Sequence, residues 1–279
     1  MKIVKKNGYY YLKYSLRKDG RVTTKEKYLG KTMPKDFEKI KEEFIREKKR
    51  ALYEKLEKIR NNFQKELERC PKTARQREKE EIAIAFTYNT NAIEGSTITM
   101  EETREIIVDK IAPNKPLIDI KETESHFRVF LEMLEKKEKL SKKLLLKWHK
   151  NIFWETKSDI AGGFRKFLVR AGPHVAPDWQ KVEGLMKKFF EFSNQTELNP
   201  AELAARAHYK FEKIHPFGDG NGRIGRLIMN YILWHNGYPM LIIEYKKRRS
   251  YYKALQRDED GFVNYFLRRY LTVHKKRFA

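Results

Sequence analysis

The stretch from residue 215 to residue 226 reads His-Pro-Phe-Gly-Asp-Gly-Asn-Gly-Arg-Ile-Gly-Arg. Glycines at this density let backbone N–H groups close around an anion, and the N-terminus of a following helix favours negative charge. Arg223 and Arg226 can each fork onto phosphate oxygens. Asp219 can hold Mg²⁺, which usually takes one or two protein carboxylates beside phosphates and waters. His215 is a candidate general base, so this turn predicts a triphosphate site.

A dinucleotide site is the main alternative for the same glycines. Residues 220–225 fit the pattern G-x-G-x-x-G, and the acidic residue Glu244 follows at a suitable distance. That pattern requires a strand directly before the first glycine. Residues 201–214 instead have apolar side chains at helical spacing. They are Leu203, Ala204, Ala207, Phe211 and Ile214. A helix therefore leads into the loop, which disfavours a Rossmann site.

Residues 215–226 resemble the active-site motif of the Fic (Fido) family, His-Pro-Phe-x-(Asp/Glu)-Gly-Asn-Gly-Arg-x-x-Arg, at every specified position. Fic proteins are mostly AMP transferases, which move AMP from ATP to a hydroxyl side chain of a target protein. The resemblance extends over residues 80–272. It implies a mostly α fold, a Fic-type helical bundle with a small β-hairpin flap, and a protein adenylyltransferase that uses ATP and Mg²⁺.

The resemblance also assigns roles within the motif. His215 is the catalytic base that acts on a Ser, Thr or Tyr hydroxyl of the target, and Asp219 is the metal ligand. The residues expected to bind the nucleotide are Gly220, Asn221, Gly222, Arg223 and Arg226. In this scheme the glycine backbone forms an anion nest, the Asn221 side chain contacts the α-phosphate, and the two arginines take the β- and γ-phosphates.

Two further segments resemble parts of a Fic active site. Residues 166–176 are rich in β-formers and turn residues and match the flap, which binds a target segment by strand addition; His174 is expected at its rim. Residues 248–255 resemble the tyrosine-bearing helix beside the adenine. Many members have an asparagine about seven residues after the tyrosine pair, where this chain has Glu259. That difference leaves adenine recognition open.

Residues 90–95 read Thr-Asn-Ala-Ile-Glu-Gly and resemble the family's inhibitory motif, (Ser/Thr)-x-x-x-Glu-(Gly/Asn). By this resemblance, Glu94 pairs with Arg226 and deprives the γ-phosphate of its anchor, with Thr90 in the same motif. Taken alone, a Glu before a Gly is often only a helix end. The position upstream of the catalytic motif matches the Fic class with an N-terminal inhibitory helix.

The N-terminal residues 1–31 contain ten Lys and Arg, only two acidic residues and five tyrosines. Apolar and polar residues alternate from Tyr10 to Leu16, which predicts a small β-hairpin or three-stranded meander. Basic residues interleaved with aromatic rings are typical of nucleic-acid binding. Alternatively, the tyrosines pack on a neighbouring helix.

A long helix is predicted from Asp36 to Arg69, because apolar residues recur there at helical steps and Pro71 follows. Its narrow apolar seam fits either a coiled coil in a homodimer or packing along the catalytic domain. We therefore divide the chain into a basic meander (1–33), a long helix and linker (34–79) and a Fic-like catalytic domain with the inhibitory helix (80–279).

The chain has 279 residues with a net charge of +23, from 61 basic and 38 acidic residues. This surplus attracts polyanions, including nucleic acid; a Lys- and Glu-rich surface of a heat-adapted protein explains only part of it. A membrane span is not expected, because no apolar run is long enough. The start lacks a signal-peptide pattern and Cys70 is the single cysteine, so we expect a cytoplasmic protein.

Three other functions remain as alternatives. Within the family, the chain could remove AMP, with Glu94 orienting a water against the phosphodiester. A phosphotransferase of the Doc branch is disfavoured, because that branch departs from the Asn-Gly-Arg pattern present here. Outside catalysis, the chain could be a regulator that binds DNA or RNA through residues 1–31 and uses the Fic core as a nucleotide sensor.

Overall fold

A computed structural model of the chain describes residues 2–18, 21–32, 34, 37–172 and 174–278. The chain divides into two compact units, Met1–Glu54 and Lys55–Ala279. This division falls within the long helix. The finer partition into residues 1–33, 34–79 and 80–279 stays a prediction.

The first unit contains three antiparallel strands in the order β1 (Lys2–Lys6), β2 (Tyr9–Lys18) and β3 (Arg21–Gly30). The structure therefore has the three-stranded meander, one of the two forms that the sequence predicts. In its register Leu12 faces Ile3, and Tyr11 faces Tyr28. A helix, α1 (Phe37–Arg69), begins in this unit and continues into the second; the predicted first helical residue, Asp36, lies outside the described residues.

From Lys55 onward, α1 is part of the second unit. Leu56 and Ile59 are fully buried there. The Phe63 ring lies 6.1 Å from the ring of Trp234 and 5.4 Å from that of Phe278, centroid to centroid. The C-terminal half of α1 is thus anchored by apolar burial on the other helices of the second unit, which is how most helices in proteins gain stability.

The second unit is a helical bundle. Its helices are α2 (Lys72–Ile93), α3 (Met100–Arg104), α4 (Leu117–Glu135), α5 (Lys142–Phe153), α6 (Val182–Ser193), α7 (Pro200–Ile214), α8 (Asn221–His235), α9 (Arg248–Leu255) and α10 (Glu259–Phe278). Strands β4 (Arg170–Ala171) and β5 (His174–Val175) form a short hairpin. The mostly α fold class and the helical bundle with a small β-hairpin, predicted from the sequence, are confirmed.

Helix α8 is the central helix of this bundle, because it is buried along almost its whole length. It follows α7 after the six-residue connection 215–220 that begins the motif. Side chains cap two of the helices: the Ser141 hydroxyl accepts from Leu144 N before α5, and the Asn199 side chain accepts from Ala201 N, with Pro200 as the first residue of α7. Within the described ranges, the structure contains no helix with both the length and the apolar character of a membrane span.

Candidate active site

The turn between α7 and α8 is held by its own asparagine. Asn221 Oδ1 accepts from Phe217 N and Asn221 Nδ2 donates to Phe217 O, both at 2.9 Å. Both the oxygen and the nitrogen of this buried amide are therefore already hydrogen-bonded within the turn. In this structure the Asn221 side chain is not free to make the predicted contact with the α-phosphate. The first N–H groups of a helix have no intrahelical acceptor, so Asn221 offers its backbone to an anion instead.

Gly220 is required at the start of α8 for two reasons. Its φ of +76° lies in the left-handed region, where a side chain is disfavoured. A Cβ atom at this position would also overlap the ring of Phe153. The Phe153 ring thus packs directly against the Gly220 backbone and limits the movement of the turn at the N-terminus of α8.

His149 supports the turn from α5. Its Nδ1 accepts from Gly162 N at 3.0 Å, so its proton lies on Nε2, which donates to Asp219 O at 3.0 Å. Its ring stacks on Phe217 with 3.9 Å between the centroids. Burial is the main cause that lowers the pKa of His149 to about 4, so it is a neutral structural group at physiological pH.

His215 follows α7 in a left-handed conformation, with φ of 51°, a conformation uncommon outside glycine. Its Nδ1 lies 3.3 Å from the carbonyl oxygen of Glu212. Since a carbonyl only accepts, the proton belongs on Nδ1, and Nε2 keeps its lone pair. Burial is the main cause that lowers the pKa of His215 below its ordinary value. The imidazole is therefore neutral near pH 7 and can accept a proton.

Arg165 connects the turn to the flap. This buried guanidinium donates to the carbonyl oxygens of His215 and Phe167, both at 2.8 Å, and to that of Pro177 at 2.5 Å. Its backbone N–H also donates to Pro216 O at 2.9 Å. One side chain thus fixes the catalytic turn and both arms of the flap. The sequence of residues 160–168 does not indicate this role, because the partners of Arg165 are backbone carbonyl groups, which every residue has.

The motif opens into a cavity of about 570 Å³. Its walls come from the end of α2, the flap, the end of α7, the start of α8 and α9. The lining residues are Glu94, Val169, Arg170, Gly172, His174, Glu212, Lys213, His215, Gly218, Asp219, Gly220, Asn221, Gly222, Arg226, Tyr251, Tyr252, Leu255 and Gln256. The structure therefore brings together His215, Asp219, the start of α8, Arg226 and Glu94.

Arg226 joins the cavity to the predicted inhibitory segment. Its Nη2 donates to Glu94 Oε1 at 2.6 Å, and its Nε donates to Thr90 Oγ1 at 2.7 Å. The arginine is almost fully buried, whereas the Glu94 side chain is 30% exposed. A Cβ atom on Gly222 would overlap the Glu94 carboxylate, so this glycine permits the approach. The predicted pairing of Glu94 with Arg226 is present in the structure.

Glu212 is a second carboxylate in the same cavity. Its Oε1 is buried and has no hydrogen-bond partner. Burial is the main cause that raises the pKa of Glu212 to about 7, while the charge of Arg226 opposes this shift and that of Glu94 adds to it. Half of these carboxyls are thus protonated near neutral pH. Sequence reasoning missed this residue, which precedes the motif by three positions.

Arg223 does not line the cavity. It is buried in an ion pair with Glu122 of α4, and its guanidinium lies 4.4 Å from the centroid of the Phe153 ring. Its assignment as a phosphate ligand stays a prediction. In the structure it is a buried structural cation, of the kind that is stable only when it is paired.

Lys157 links this ion pair to the motif. Its Nζ lies 2.7 Å from Asp219 Oδ2 and 2.8 Å from Glu122 Oε1. Burial raises the pKa of Asp219, but the hydrogen bond from Lys157 and the charges of Arg223 and Lys157 outweigh it, so the pKa is lowered. Asp219 is therefore an ionised carboxylate at neutral pH.

Asp219 fits a magnesium site in which the phosphates of a bound nucleotide supply the remaining ligands. No group of three or more His, Cys, Asp or Glu side chains that could hold a metal occurs among the described residues. Mg²⁺ bound with a nucleotide usually needs only one or two carboxylates. The Asp219 side chain is 48% exposed and lines the cavity, so it can supply one.

Comparison with known proteins agrees with this geometry. The model of the Fic/DOC family matches residues 139–233, which include the flap and the motif. This chain belongs to the Fic/DOC family. It is 35% identical to protein adenylyltransferase Fic of Nematostella vectensis over 67% of this chain and 46% of the relative. It is 34% identical to the protein of the same name from Drosophila willistoni over 70% of this chain and 41% of the relative.

A solved structure extends the likeness to the fold. Fic-1 of C. elegans (aa134–508) superposes with a TM-score of 0.72 at 26% identity, covering 84% of this chain and 72% of that one. The chain spans less than half the length of the two curated relatives that it matches.

The tyrosine-bearing helix of this Fic domain is α9. Tyr251 is buried, and its hydroxyl lies 2.8 Å from His208 Nε2. Tyr252 donates its hydroxyl to Ile93 O at 3.0 Å, so it holds the end of α2 beside Glu94. Both tyrosines line the cavity, as the resemblance implies.

Glu259, the residue near the expected adenine contact, is in another environment. Its carboxylate pairs with Arg206 at 2.9 Å and with Lys210 at 2.8 Å, and it does not line the cavity. The polar side chain beside Tyr252 in the cavity is instead Gln256. An amide both donates and accepts hydrogen bonds, so Gln256 can meet the edge of a base.

In the flap of this Fic domain, the paired strand residues cover less than the predicted span 166–176. Arg170 pairs with Val175 and Ala171 with His174. His174 Nε2 lies 2.9 Å from Lys213 O, so the hairpin is tied to the end of α7, and His174 is at the cavity rim as expected. Phe167 and Leu168 are exposed, which leaves apolar surface beside the hairpin.

Proposed function

We propose that this chain is a protein adenylyltransferase that moves AMP from ATP to a Ser, Thr or Tyr hydroxyl of a target protein. One observation carries the proposal: a neutral imidazole, the free N–H groups of a helix start and a buried arginine all meet at one cavity of about 570 Å³. Relatives that are 34–35% identical have the name protein adenylyltransferase Fic.

In this reaction His215 is the general base. Its Nε2 accepts the proton of the target hydroxyl, and the oxygen attacks the α-phosphorus of ATP. The bond from that phosphorus to the oxygen bridging the α- and β-phosphates breaks, and pyrophosphate leaves with the electron pair. The products are a phosphodiester on the target and pyrophosphate. Positioning and charge neutralisation supply most of the rate in such transfers.

The chain's own groups neutralise the phosphates. The N–H groups in the first turn of α8, including Gly222, bind phosphate oxygens as helix starts do, and Arg226 adds a positive charge. Asp219 would hold Mg²⁺, which would supply further charge neutralisation when bound. Lys157, whose Nζ lies 2.7 Å from Asp219 Oδ2, would compete with the metal for this carboxylate.

Glu94 limits this activity in the proposal. Arg226 cannot place its guanidinium on a phosphate while Nη2 and Nε are engaged by Glu94 and Thr90. The Glu94 carboxylate also repels a triphosphate. ATP can then enter only in an unproductive pose, so the resting chain transfers AMP slowly.

The flap presents the target in this proposal. A two-stranded hairpin has a free edge to which an extended target segment can add by main-chain hydrogen bonds. The exposed side chains of Phe167 and Leu168 offer apolar contacts beside that edge. The target hydroxyl then projects towards His215.

Removal of AMP is a second candidate because of one observation. Glu94 lines the same cavity as His215 and has a 30% exposed side chain. A carboxylate in that place can orient a water against the phosphodiester of a modified target. In this role, Glu94 is needed for catalysis.

Intact-protein mass spectrometry separates the two candidates. Wild type, Glu94→Gly and His215→Ala are each incubated with ATP and Mg²⁺, alone and with an AMP-modified substrate. A mass gain of one AMP in Glu94→Gly, absent from His215→Ala, supports transfer. Loss of AMP by wild type and not by Glu94→Gly supports removal. If no variant gains or loses AMP, both proposals fail.

A further inference from the structure

The small sheet of the first unit has one face made of tyrosines and lysines, which the proposed chemistry does not use. Side chains two residues apart on a strand share a face, as do cross-strand partners. Tyr9, Tyr11 and Lys13 of β2 therefore share a face. From the other two strands, the register adds Val4, Lys6, Glu26 and Tyr28 to this face. We call this the tyrosine face.

Three rings form a continuous group on the tyrosine face. The ring centroid of Tyr28 lies 5.7 Å from that of Tyr9 and 5.6 Å from that of Tyr11. The rings come from adjacent strands, so the sheet fixes their spacing. Tyr28 is nevertheless 56% exposed. A large ring that stays in water on a fixed support is available to stack on a flat partner.

The opposite face of the sheet has a different character. Leu12, at its centre, is only 1% exposed. Leu12 therefore supplies a buried apolar side chain on the face opposite the three rings, and the exposed ring of Tyr28 is not part of that buried centre. Burial of one face and exposure of the other is usual for antiparallel sheets.

Positive charge surrounds the three rings. Lys6 and Lys13 share one carboxylate, Glu26, at 2.8 Å and 3.8 Å, so this trio keeps one net positive charge. The Lys31 Nζ lies 5.7 Å from the centroid of the Tyr9 ring. Residues 1–31 have ten basic and two acidic residues in all. Exposed rings within a basic surface are complementary to a chain of stacked bases and phosphates.

We propose that the tyrosine face binds single-stranded nucleic acid. Bases stack on Tyr28 and its neighbours, and the lysines contact phosphates. Ring stacking requires unpaired bases, because the faces of bases in a duplex are already covered. The binding site lies in the first unit and does not depend on ATP, so it is independent of the transferase proposal.

The test is fluorescence anisotropy of the full-length chain, without ATP, with labelled oligo-dT, oligo-U and a mixed-sequence duplex, each about 15 nucleotides long. The expected result is binding to one or both single strands and weaker binding to the duplex. About three phosphate contacts give a slope near −2 in log affinity against log salt. Preference for oligo-U identifies RNA as the ligand, and preference for oligo-dT identifies DNA.

Substitutions distinguish ring stacking from attraction by charge alone. Tyr28→Ala is expected to weaken single-strand binding about tenfold, and Tyr28→Phe, which keeps the ring, to retain it. Lys13→Gln lowers the salt slope, whereas Lys27→Gln, in line with Leu12 on the other face, does not. The proposal is overturned if oligonucleotides fail to bind at about 50 mM salt, or if Tyr28→Ala binds as wild type does. Circular dichroism confirms that each variant is folded.

Discussion

Arg226 donates to Glu94 Oε1 at 2.6 Å and to Thr90 Oγ1 at 2.7 Å; Thr90 lies in the last turn of α2 and Glu94 directly follows that helix. A buried arginine needs such partners, because an unpaired charge in this environment costs several kcal/mol. A triphosphate that displaces Glu94 supplies replacement oxygens, so the exchange conserves the pairing of Arg226. The contact is thus suited to reversible competition between a side chain and a ligand.

Glu94→Gln is predicted to increase AMP labelling by about tenfold or more, because an amide neither repels phosphates nor holds Arg226 through a full charge. The measurement is incorporation of α-labelled ATP into the purified chain. Glu81→Gln is the matched control. It removes a carboxylate of α2, the helix that precedes Glu94, and this carboxylate pairs with Arg104 and does not line the cavity. Equal labelling of Glu94→Gln and wild type would contradict the inhibitory role.

The pH profile of labelling is predicted from His215. Burial lowers its pKa below the ordinary 6.5, and only the neutral imidazole accepts a proton. At saturating ATP, the rate of the Glu94→Gln variant is expected to stay level from about pH 8 to 6.5 and to fall only at lower pH. A fall that begins well above pH 6.5 would argue against His215 as the base.

Lys157→Met is predicted to tighten metal binding at Asp219 several-fold. Lys157 Nζ lies 2.7 Å from Asp219 Oδ2, so the lysine and a metal ion would compete for the same carboxylate. Titration with Mn²⁺, followed by electron paramagnetic resonance of the free ion, measures the affinity without turnover. Lys150→Met is the control, because the Lys150 Nζ lies over the Trp154 ring. Unchanged affinity in Lys157→Met would exclude competition.

Glu212→Gln is predicted to stabilise the protein at high pH. The folded-state pKa of Glu212 is about 7, above the ordinary 4.5, so its protonated form is favoured by folding. The resulting stability is present below pH 4.5 and is lost as the pH rises through 7, a cost of about 3 kcal/mol by pH 8. Glutamine avoids this cost.

Thermal unfolding at several pH values measures the difference for Glu212. The gain of Glu212→Gln over wild type is expected to be about 2 to 3 kcal/mol at pH 8 and under about 1 kcal/mol at pH 5. Glu191→Gln is the control, because Glu191 is exposed on α6. A gain in stability that does not vary with pH would contradict a raised pKa of Glu212 in the folded protein.

Local patterns in the sequence were sufficient for the elements and for part of the site. The spacing of apolar residues predicted α1 and α7, and the alternation around Leu12 predicted a small β-hairpin or three-stranded meander. The resemblance of residues 90–95 predicted the pairing of Glu94 with Arg226, which lies 132 residues away. Such a distant contact was accessible only because both partners belong to motifs of one family.

The parts that were missed depend on packing that has no local pattern. Lys157 and Glu122 meet Asp219 and Arg223 from a loop and from α4, and neither has a neighbour in sequence that marks it. Glu259 was expected near adenine, yet the proximity of Arg206 and Lys210 from α7 ties it elsewhere. Side-chain direction decides these cases, and spacing alone does not give it.

The carbonyl contacts of Arg165 have a mechanical consequence. The guanidinium joins the flap and the turn that carries the imidazole, so the two shift as one piece. In the proposed reaction, a target segment bound along the hairpin therefore lies at a fixed distance from His215 Nε2. Substitutions of the exposed flap side chains would then change which target is bound, while the reacting atoms keep their alignment.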